Sequence, residues 1–347
     1  AGTPEAVAQL ERLETRVRYA AARRRIRRAL SGAAERAGLT RLDLEEAATP
    51  DLGFDADGRW RRQWGEVACE VRVVPSIEAV WSKGGKRCRS VPAVVRRKYA
   101  AELRTVRALV REARRILPVQ RARLEGLLLI EREWPFEAFA EHYLDHPLMR
   151  HLARRLVWIV DGRAVCWNGE ELVDSAERPV GREGWVSLWH PLDATDAEVQ
   201  AWRLWLHLHG VRQPFKQAHR ELFRPGDPSQ PVWHGFVGRP LHQHQLAALC
   251  RQRGWGYRLM GRWDARSVPR RDLPGGFAAE FHVLAPEPEA PVSDRDVFLF
   301  VTADIVRFLR EGEPIGLDEV PPRLFSEALR DVALFVSVAS QPHRVGR

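Results

Sequence analysis

The fold of this chain is decided by the stretch LVWIVDGRAVCW, which occupies residues 156–167. It holds two apolar runs, Leu156–Val160 and Arg163–Trp167, on either side of the pair Asp161-Gly162. β-Branched and aromatic residues favour strands, and an Asp-Gly pair favours a tight turn. The stretch therefore predicts two strands joined by a turn, with a boundary near residue 155 where a new structural region begins.

Short strands alternate with helices on the C-terminal side of this stretch. Trp185–Trp189 and Phe277–Leu284 have strand patterns, whereas Asp196–His209 and Leu241–Arg253 have helical spacing. No internal repeat is visible, and the mixture fits an α+β fold. We expect residues 156–347 to form one mixed α+β domain.

Two further regions precede this domain. Residues 1–50 have helical apolar spacing and are predicted to form an appended helical region. Residues 51–155 begin with turn and strand signals that predict a small hairpin, and two helical patterns separated by Pro118 follow. We expect Pro118 to end the first of these helices, because proline lacks the amide hydrogen that a helix interior needs.

The chain is basic: 55 Lys and Arg residues face 46 Asp and Glu residues, which gives a net charge of +9 over 347 residues. Arginine supplies most of the positive charge, and its guanidinium group is suited to bidentate contacts with phosphate or carboxylate. Nucleic acid is therefore a candidate partner, although a basic composition alone does not identify a ligand.

Several classes of protein are disfavoured by what the sequence lacks. No apolar run approaches the roughly 20 residues of a membrane span, so we expect no membrane association. The four cysteines are isolated and show no metal-ligand spacing, which predicts a reduced, cytoplasmic protein without a metal site. The GxSxG, HExxH and GxGxxG motifs are absent, and the sequence leaves the identity of any cofactor unknown.

The densest polar motif is QPFKQAHRE, Gln213–Glu221. Proline is tolerated in the first turn of a helix, so a helix is predicted to open at Gln213 or Pro214 and to end near Phe223. Helical spacing would bring together four side chains suited to holding an anion: Gln213, Lys216, Gln217 and Arg220. The alternative is an ordinary solvated helix face.

A second basic segment, SKGGKR, occupies Ser82–Arg87. It lacks the GxxxxGK[ST] spacing with which a P-loop surrounds a phosphate. Lys83 and Lys86 could still bind an anion as point charges, and the alternative is a plain basic turn.

Several ordered motifs carry a resemblance to a known family. They are Trp81–Lys86 with Ser90–Pro92, Gln120–Glu125, Tyr143 with His146-Pro147, Leu188–Pro191, Gln213–Glu221, and Ser326-Glu327 with Arg330-Asp331. Together they resemble the bacterial MolR-like family, the molybdate-metabolism-regulator-like proteins, whose shared C-terminal region is a domain of unknown function. The resemblance covers about residues 60–340 and implies a regulatory role without fixing a biochemical activity. Trp64-Gly65-Glu66 departs from the WGR motif of many members, so DNA contact through a WGR module is not implied.

The first functional hypothesis is a regulatory or binding module that recognises a nucleotide, an oxyanion or a nucleic-acid phosphate. The candidate ligand-binding residues are Lys83, Lys86, Arg212, Gln213, Lys216, Gln217, Arg220 and Arg330. These residue types donate hydrogen bonds or carry the positive charge that an anion requires.

Two alternatives stay open. The second hypothesis is an enzyme acting on a nucleotide or another phosphorylated substrate, with His219 or His190 as general acid and base and Glu221 or Glu327 as its carboxylate partner. Arg220 and Lys216 would stabilise developing negative charge. A histidine packed in the core is the alternative for both histidines. The third hypothesis is a structural subunit of a larger complex, in which charged pairs such as Arg330-Asp331 belong to buried networks.

Overall fold

The computed structural model describes residues 6–7, 10, 13, 17, 20–38, 40–73, 77–263, 266–287, 289–293 and 296–340. The chain divides into two compact units, Ala1–His219 and Arg220–Arg347. Helices and antiparallel sheets are mixed along the described chain, which confirms the predicted α+β class. The division predicted from the sequence, at residues 50 and 155, differs from these two units and stays a prediction.

The first unit begins with two helices, α1 (Ala20–Ala37) and α2 (Arg41–Ala47). The Thr40 hydroxyl accepts the Asp43 N–H at 3.2 Å, and the Asp43 carboxylate accepts the Thr40 N–H at 3.0 Å. This reciprocal capping box fixes the start of α2. The remainder of the helical pattern predicted for residues 1–50 lies partly outside the described residues.

An antiparallel four-stranded sheet follows in place of the small hairpin that the sequence predicts. Its strands lie side by side in chain order: β1 (Trp60–Trp64), β2 (Val67–Arg72), β3 (Glu78–Lys83) and β4 (Lys86–Cys88). Buried side chains alternate along β2 at Val67, Cys69 and Val71, because successive residues of a strand point to opposite faces. The sheet thus has one face in the core.

Two helices continue the chain, α3 (Ala93–Lys98) and α4 (Ala100–Gly126). Pro118 lies inside α4, so the predicted helix break at this residue is wrong. α4 buries Leu117 beside the proline and Leu124 beyond it. Apolar packing on both sides of Pro118 therefore outweighs the cost of about 3 kcal/mol for proline in a helix interior.

The second sheet completes the first unit, with strand order β5-β9-β6-β7-β8. Its strands are β5 (Glu133–Pro135), β6 (Trp158–Val160), β7 (Arg163–Trp167), β8 (Leu172–Val173) and β9 (Trp185–Leu188). The helices of this region are α5 (Phe136–Phe139), the π-helix Ala140–Leu144, α6 (Arg150–Ala153) and α7 (Asp196–Leu208). Because β5 pairs with β9, the sheet takes strands from both sides of residue 155.

The strand-turn-strand predicted for residues 156–167 is confirmed. β6 pairs antiparallel with β7, and Val160 lies opposite Arg163. The turn residues Asp161 and Gly162 have φ values of 45° and 78°, the left-handed backbone that a tight hairpin turn requires.

The second unit is built on one antiparallel sheet, in which the long central strand β14 pairs with four neighbours. Its strands are β10 (Val232–Trp233), β11 (Pro240–His242), β12 (Arg270–Asp272), β13 (Phe277–Leu284), β14 (Phe300–Arg310) and β15 (Glu313–Ile315). Its helices are α8 (Gln243–Gln252) and α9 (Pro322–Ala339). Phe325, Leu329 and Phe335 place one face of α9 in the core. None of the described helices combines the length and the apolar character needed to cross a membrane.

Candidate functional site

The polar motif Gln213–Glu221 is a loop. Residues 211–223 form turns and irregular backbone, so the predicted helix is wrong. The Gln213 side chain accepts the Ala218 N–H at 2.9 Å and donates to the Gln217 side chain at 2.8 Å. These side-chain hydrogen bonds stabilise a compact loop in place of the backbone bonds of a helix.

Gln217 anchors this loop to the second sheet. Its Nε2 donates to the carbonyl oxygens of Val157 at 2.8 Å and Trp189 at 2.9 Å, and its Oε1 accepts the Val157 N–H at 2.9 Å. The side chain is fully buried between the residues that precede β6 and follow β9. Its polar atoms are therefore engaged by the protein, and it positions the loop.

Exposed side chains of the same loop border a cavity of about 470 Å³ in the first unit, here called the basic pocket. Its cationic and titratable lining consists of Arg121, His207, Arg212, Lys216 and His219. α4 contributes Arg121, α7 contributes His207, and the loop supplies the other three. Leu206, Pro214 and Phe215 form an apolar wall, and none of the described residues that line the pocket is acidic.

Three arginines lie in or beside the lining of this pocket, namely Arg121, Arg155 and Arg212. In the part of the chain that the structure describes, no ion pair joins Arg121, Arg155 or Arg212 to a carboxylate. Arg155 donates instead to two carbonyl oxygens, those of His151 at 2.6 Å and Arg212 at 3.1 Å. Burial and the positive charge of Arg121 lower the pKa of Arg155. A bound anion would relieve this repulsion.

Arg220 has a different environment in the second unit. It is 2% exposed, and its Nε and Nη2 donate to the two carboxylate oxygens of Glu327, which is 3% exposed. Beside this bidentate pair, the Phe223 N–H donates to the Ser326 hydroxyl at 3.0 Å. The contacts attach residues 220–223 to α9 and place Arg220 in the core.

A second buried carboxylate lies on α9. Asp331 is fully buried and accepts from Arg253 Nε at 2.5 Å, Arg271 Nη1 at 2.6 Å and Trp255 Nε1 at 2.9 Å. Its neighbour Arg330 donates to Glu221 at 3.0 Å. The α9 charge network is defined here as Arg220–Glu327 together with Asp331 and its partners Arg253 and Arg271. Sequence reasoning missed Arg253 and Arg271, because nothing local marks them as partners of Asp331.

The two candidate acid–base histidines also differ. His190 is 1% exposed, and its Nδ1 accepts the Leu192 N–H at 3.0 Å at the start of the 3₁₀ turn Pro191–Asp193. His219 is exposed and lines the basic pocket. His190 is outside the set of residues that line this pocket. The structure therefore brings His219 to the cations and gives His190 a capping role.

Lys83 and Lys86 are exposed and lie opposite each other across the turn between β3 and β4. Neither belongs to the lining of the basic pocket. Within the described ranges, no group of three or more His, Cys, Asp or Glu side chains is arranged to hold a metal ion. Of the predicted ligand-binding residues, the pocket brings together Arg212, Gln213 and Lys216, and it adds Arg121, which the sequence did not single out.

The fold and the pocket define a mixed α+β protein with a cationic cavity, and its relatives extend this description only slightly. Residues 85–255 match a protein family described as a domain of unknown function (DUF4132). Over 270 residues the chain is 23% identical to the uncharacterised protein YehI of Escherichia coli (strain K12). This match covers 72% of the chain but 22% of YehI, so the chain spans about a fifth of that relative's length.

No solved structure matches the chain. The match to a domain of unknown function agrees with one part of the resemblance drawn from the sequence, namely that the shared region is a domain of unknown function. Neither the matched family nor YehI carries the MolR name. All the residues that line the basic pocket lie within the matched range 85–255.

Proposed function

We propose that this protein is a regulatory or binding module that recognises an anionic ligand in the basic pocket. The observation that carries the proposal is the convergence of Arg121, Arg212 and Lys216 on one cavity whose described lining contains no carboxylate. Other exposed arginines of the first unit do have carboxylate partners, among them Arg61, which lies 2.7 Å from Asp55. The pocket therefore contains two arginines, Arg121 and Arg212, that form no ion pair with a carboxylate of the described chain.

The lining favours a phosphate or another oxyanion. A guanidinium group offers a planar fork of donors that matches the oxygens of phosphate, and an ammonium group adds a point charge. Leu206, Pro214 and Phe215 supply the apolar surface that a nucleotide would need beside its phosphates. A volume of about 470 Å³ falls within the usual range of small-molecule sites.

The predicted site residues divide into two groups in this proposal. Arg212, Gln213, Lys216 and His219 stay ligand-binding candidates, joined by Arg121 and His207. Gln217, Arg220 and Arg330 support the fold, because each has hydrogen bonds or ion pairs within its own unit. The MolR-like resemblance fits the same proposal, since a regulator of oxyanion metabolism would need an oxyanion site. All four cysteines are free, which suits the reducing cytoplasm that we propose as its location.

The enzyme hypothesis keeps one specific observation in its favour. His207 and His219 both line the cationic pocket, where either could exchange a proton with a phosphorylated substrate. The binding proposal requires no such step. Turnover of a bound phosphate ester that is lost in His219→Ala, with affinity retained, would favour the enzyme.

Calorimetric titration with inorganic phosphate, molybdate and ATP tests the proposal. We expect at least one of these probes to bind, and the double variant R121Q/R212Q to weaken its binding at least tenfold with an unchanged melting temperature. The variant K83Q/K86Q removes the same charge from the β3–β4 turn and should retain the wild-type affinity. No binding of any probe at millimolar concentration, or equal losses in both variants, would refute the assignment of the pocket.

A further inference from the structure

Arg121 is the last member of a row of arginines along α4. The row consists of Arg104, Arg107, Arg111, Arg114 and Arg121, all of them exposed. Steps of three and four residues keep side chains on one face of a helix, and Pro118 occupies the position between the last two arginines. At 1.5 Å per residue, the row extends about 25 Å along the helix.

The arginines of this row are not neutralised by the protein. In the described part of the chain, no ion pair joins any of the five to a carboxylate, and Arg114 donates to the Ile77 carbonyl at 2.7 Å. The helix does carry an acidic residue between the ends of the row, Glu112, which lies 3.9 Å from Arg115, an arginine that is not counted in the row. Ion pairing on α4 thus occurs outside the row.

The row connects two cavities of the first unit. Arg107, Arg111 and Arg114 line a cleft of about 450 Å³ between the first sheet and α4, here called the sheet–helix cleft. Arg87 of β4 and the following Arg89 also line the cleft, together with one carboxylate, Glu78, which lies 4.0 Å from Arg87. Leu103, Val106 and Val110 give it apolar surface. At the far end of the row, Arg121 lines the basic pocket.

The geometry points to a polymeric ligand: we propose that the arginine row of α4 binds the phosphate backbone of single-stranded nucleic acid without regard to sequence. A compact anion contacts one or two of these side chains, whereas successive phosphates match a row of cations about 25 Å long. A cleft that offers apolar surface beside a row of arginines accepts an unstacked nucleotide. The bases of a duplex are stacked inside it and cannot enter such a cleft. The inference rests in part on the proposed function, because Arg121 belongs both to the arginine row and to the lining of the basic pocket.

Fluorescence anisotropy with a fluorescein-labelled dT12 oligonucleotide tests the inference in the whole chain. If all five arginines contact phosphates, the logarithm of the binding constant falls with the logarithm of the salt concentration with a slope of about −3.5. The triple variant R107Q/R111Q/R114Q should weaken binding at least tenfold and reduce the slope to about −1.4. Its melting temperature should not change, since the three side chains are exposed.

A matched control is R163Q/R239Q/R251Q, which removes the same charge from three exposed arginines outside α4 that form no ion pair with a carboxylate in the described chain. It should leave the slope and the affinity for dT12 nearly unchanged. Equal weakening in both triple variants, no binding at low salt, or binding of a 12-base-pair duplex at least as tight as that of dT12 would overturn the inference. The calorimetric titration with phosphate, molybdate and ATP separates the two proposals. If one of these anions binds and dT12 does not, the basic pocket is supported and the arginine row is refuted.

Discussion

The basic pocket and the α9 charge network both contain arginines, but in opposite environments. In the network, Arg220, Arg253 and Arg271 donate to carboxylates that are almost fully buried. In the pocket, Arg121 and Arg212 are exposed and, within the described chain, form no ion pair with a carboxylate. The motif Gln213–Glu221 contributes to both regions, so charge and position in the sequence do not separate a ligand contact from a structural contact.

The difference has an energetic consequence. A buried charge that loses its partner retains the cost of desolvation, which amounts to about 3–5 kcal/mol. An exposed arginine stays hydrated when a neighbour is removed, and its substitution usually changes stability by less than about 0.5 kcal/mol. Stability measurements can therefore separate the two regions. Three experiments follow, from the largest expected effect to the smallest, and a final experiment compares the two regions directly.

The largest effect is expected from Asp331→Ala. The substitution removes the carboxylate that accepts from Arg253, Arg271 and Trp255 in the interior of the second unit. We expect the free energy of unfolding to fall by about 3–5 kcal/mol in urea titrations. Asp318→Asn, at an exposed residue, is the control and should stay within about 0.5 kcal/mol of the wild type. A loss below about 1 kcal/mol for Asp331→Ala would mean that the network contributes little to stability.

The pH dependence of stability should reveal His151, a half-buried histidine of α6. Burial lowers the pKa of His151 to about 4, and its Nε2 lies 2.9 Å from the Gly58 carbonyl oxygen. As the pH falls from 6.5 to 4, the unfolded chain binds a proton that the folded chain excludes, so this contribution is complete above pH 6.5 and is lost towards pH 4. The loss should reach about 3 kcal/mol.

His151→Gln is the variant that tests this pH dependence, since it removes the titrating group and keeps an amide donor at about the position of Nε2 for the Gly58 carbonyl. The measurement is the difference between wild type and variant in urea titrations from pH 7.5 to pH 4, which cancels the titration of other groups. A difference that does not change with pH would show that His151 is not kept neutral by burial.

A smaller loss is expected from Gln217→Leu. The substitution removes the side-chain amide that hydrogen-bonds the backbone groups of Val157, just before β6, and Trp189, just after β9. We expect the free energy of unfolding to fall by about 2 kcal/mol. Gln213→Leu, at a half-buried side chain of the same loop, should cost less. The reverse order would show that Gln213 rather than Gln217 anchors the loop.

The sequence predicted structure well where the signals are local. The strands on either side of Asp161-Gly162 were found because alternation and an Asp-Gly turn act within a few residues. The helix predicted at Gln213 failed because the partners of Gln217 lie 60 and 28 positions away. Similarly, the break predicted at Pro118 was wrong because the packing of Leu117 and Leu124 against the rest of the fold stabilises α4 on both sides of the proline, and this packing is not visible in the local sequence.

The candidate site was predicted only in part, because only some of its residues lie close together in the sequence. Arg212 and Lys216 stand out because they lie close together in a dense polar motif. Arg121 could not be predicted, because nothing in the local sequence distinguishes it from the other exposed arginines of α4; only the fold places it with Arg212 in the lining of one pocket. Burial of Arg220 depends on Glu327, which is 107 positions away. No pattern within the motif distinguishes a buried arginine from an exposed one.

The most direct test compares two arginines of neighbouring position, Arg212 and Arg220, each changed to Gln. Urea unfolding and calorimetric titration with the anion that the wild type binds are measured on both variants. We predict that Arg212→Gln keeps the wild-type stability within about 0.5 kcal/mol and weakens anion binding, whereas Arg220→Gln loses about 3–5 kcal/mol of stability. Equal loss of stability in the two variants, or unchanged anion binding in Arg212→Gln, would contradict the division between a ligand-binding pocket and a structural network.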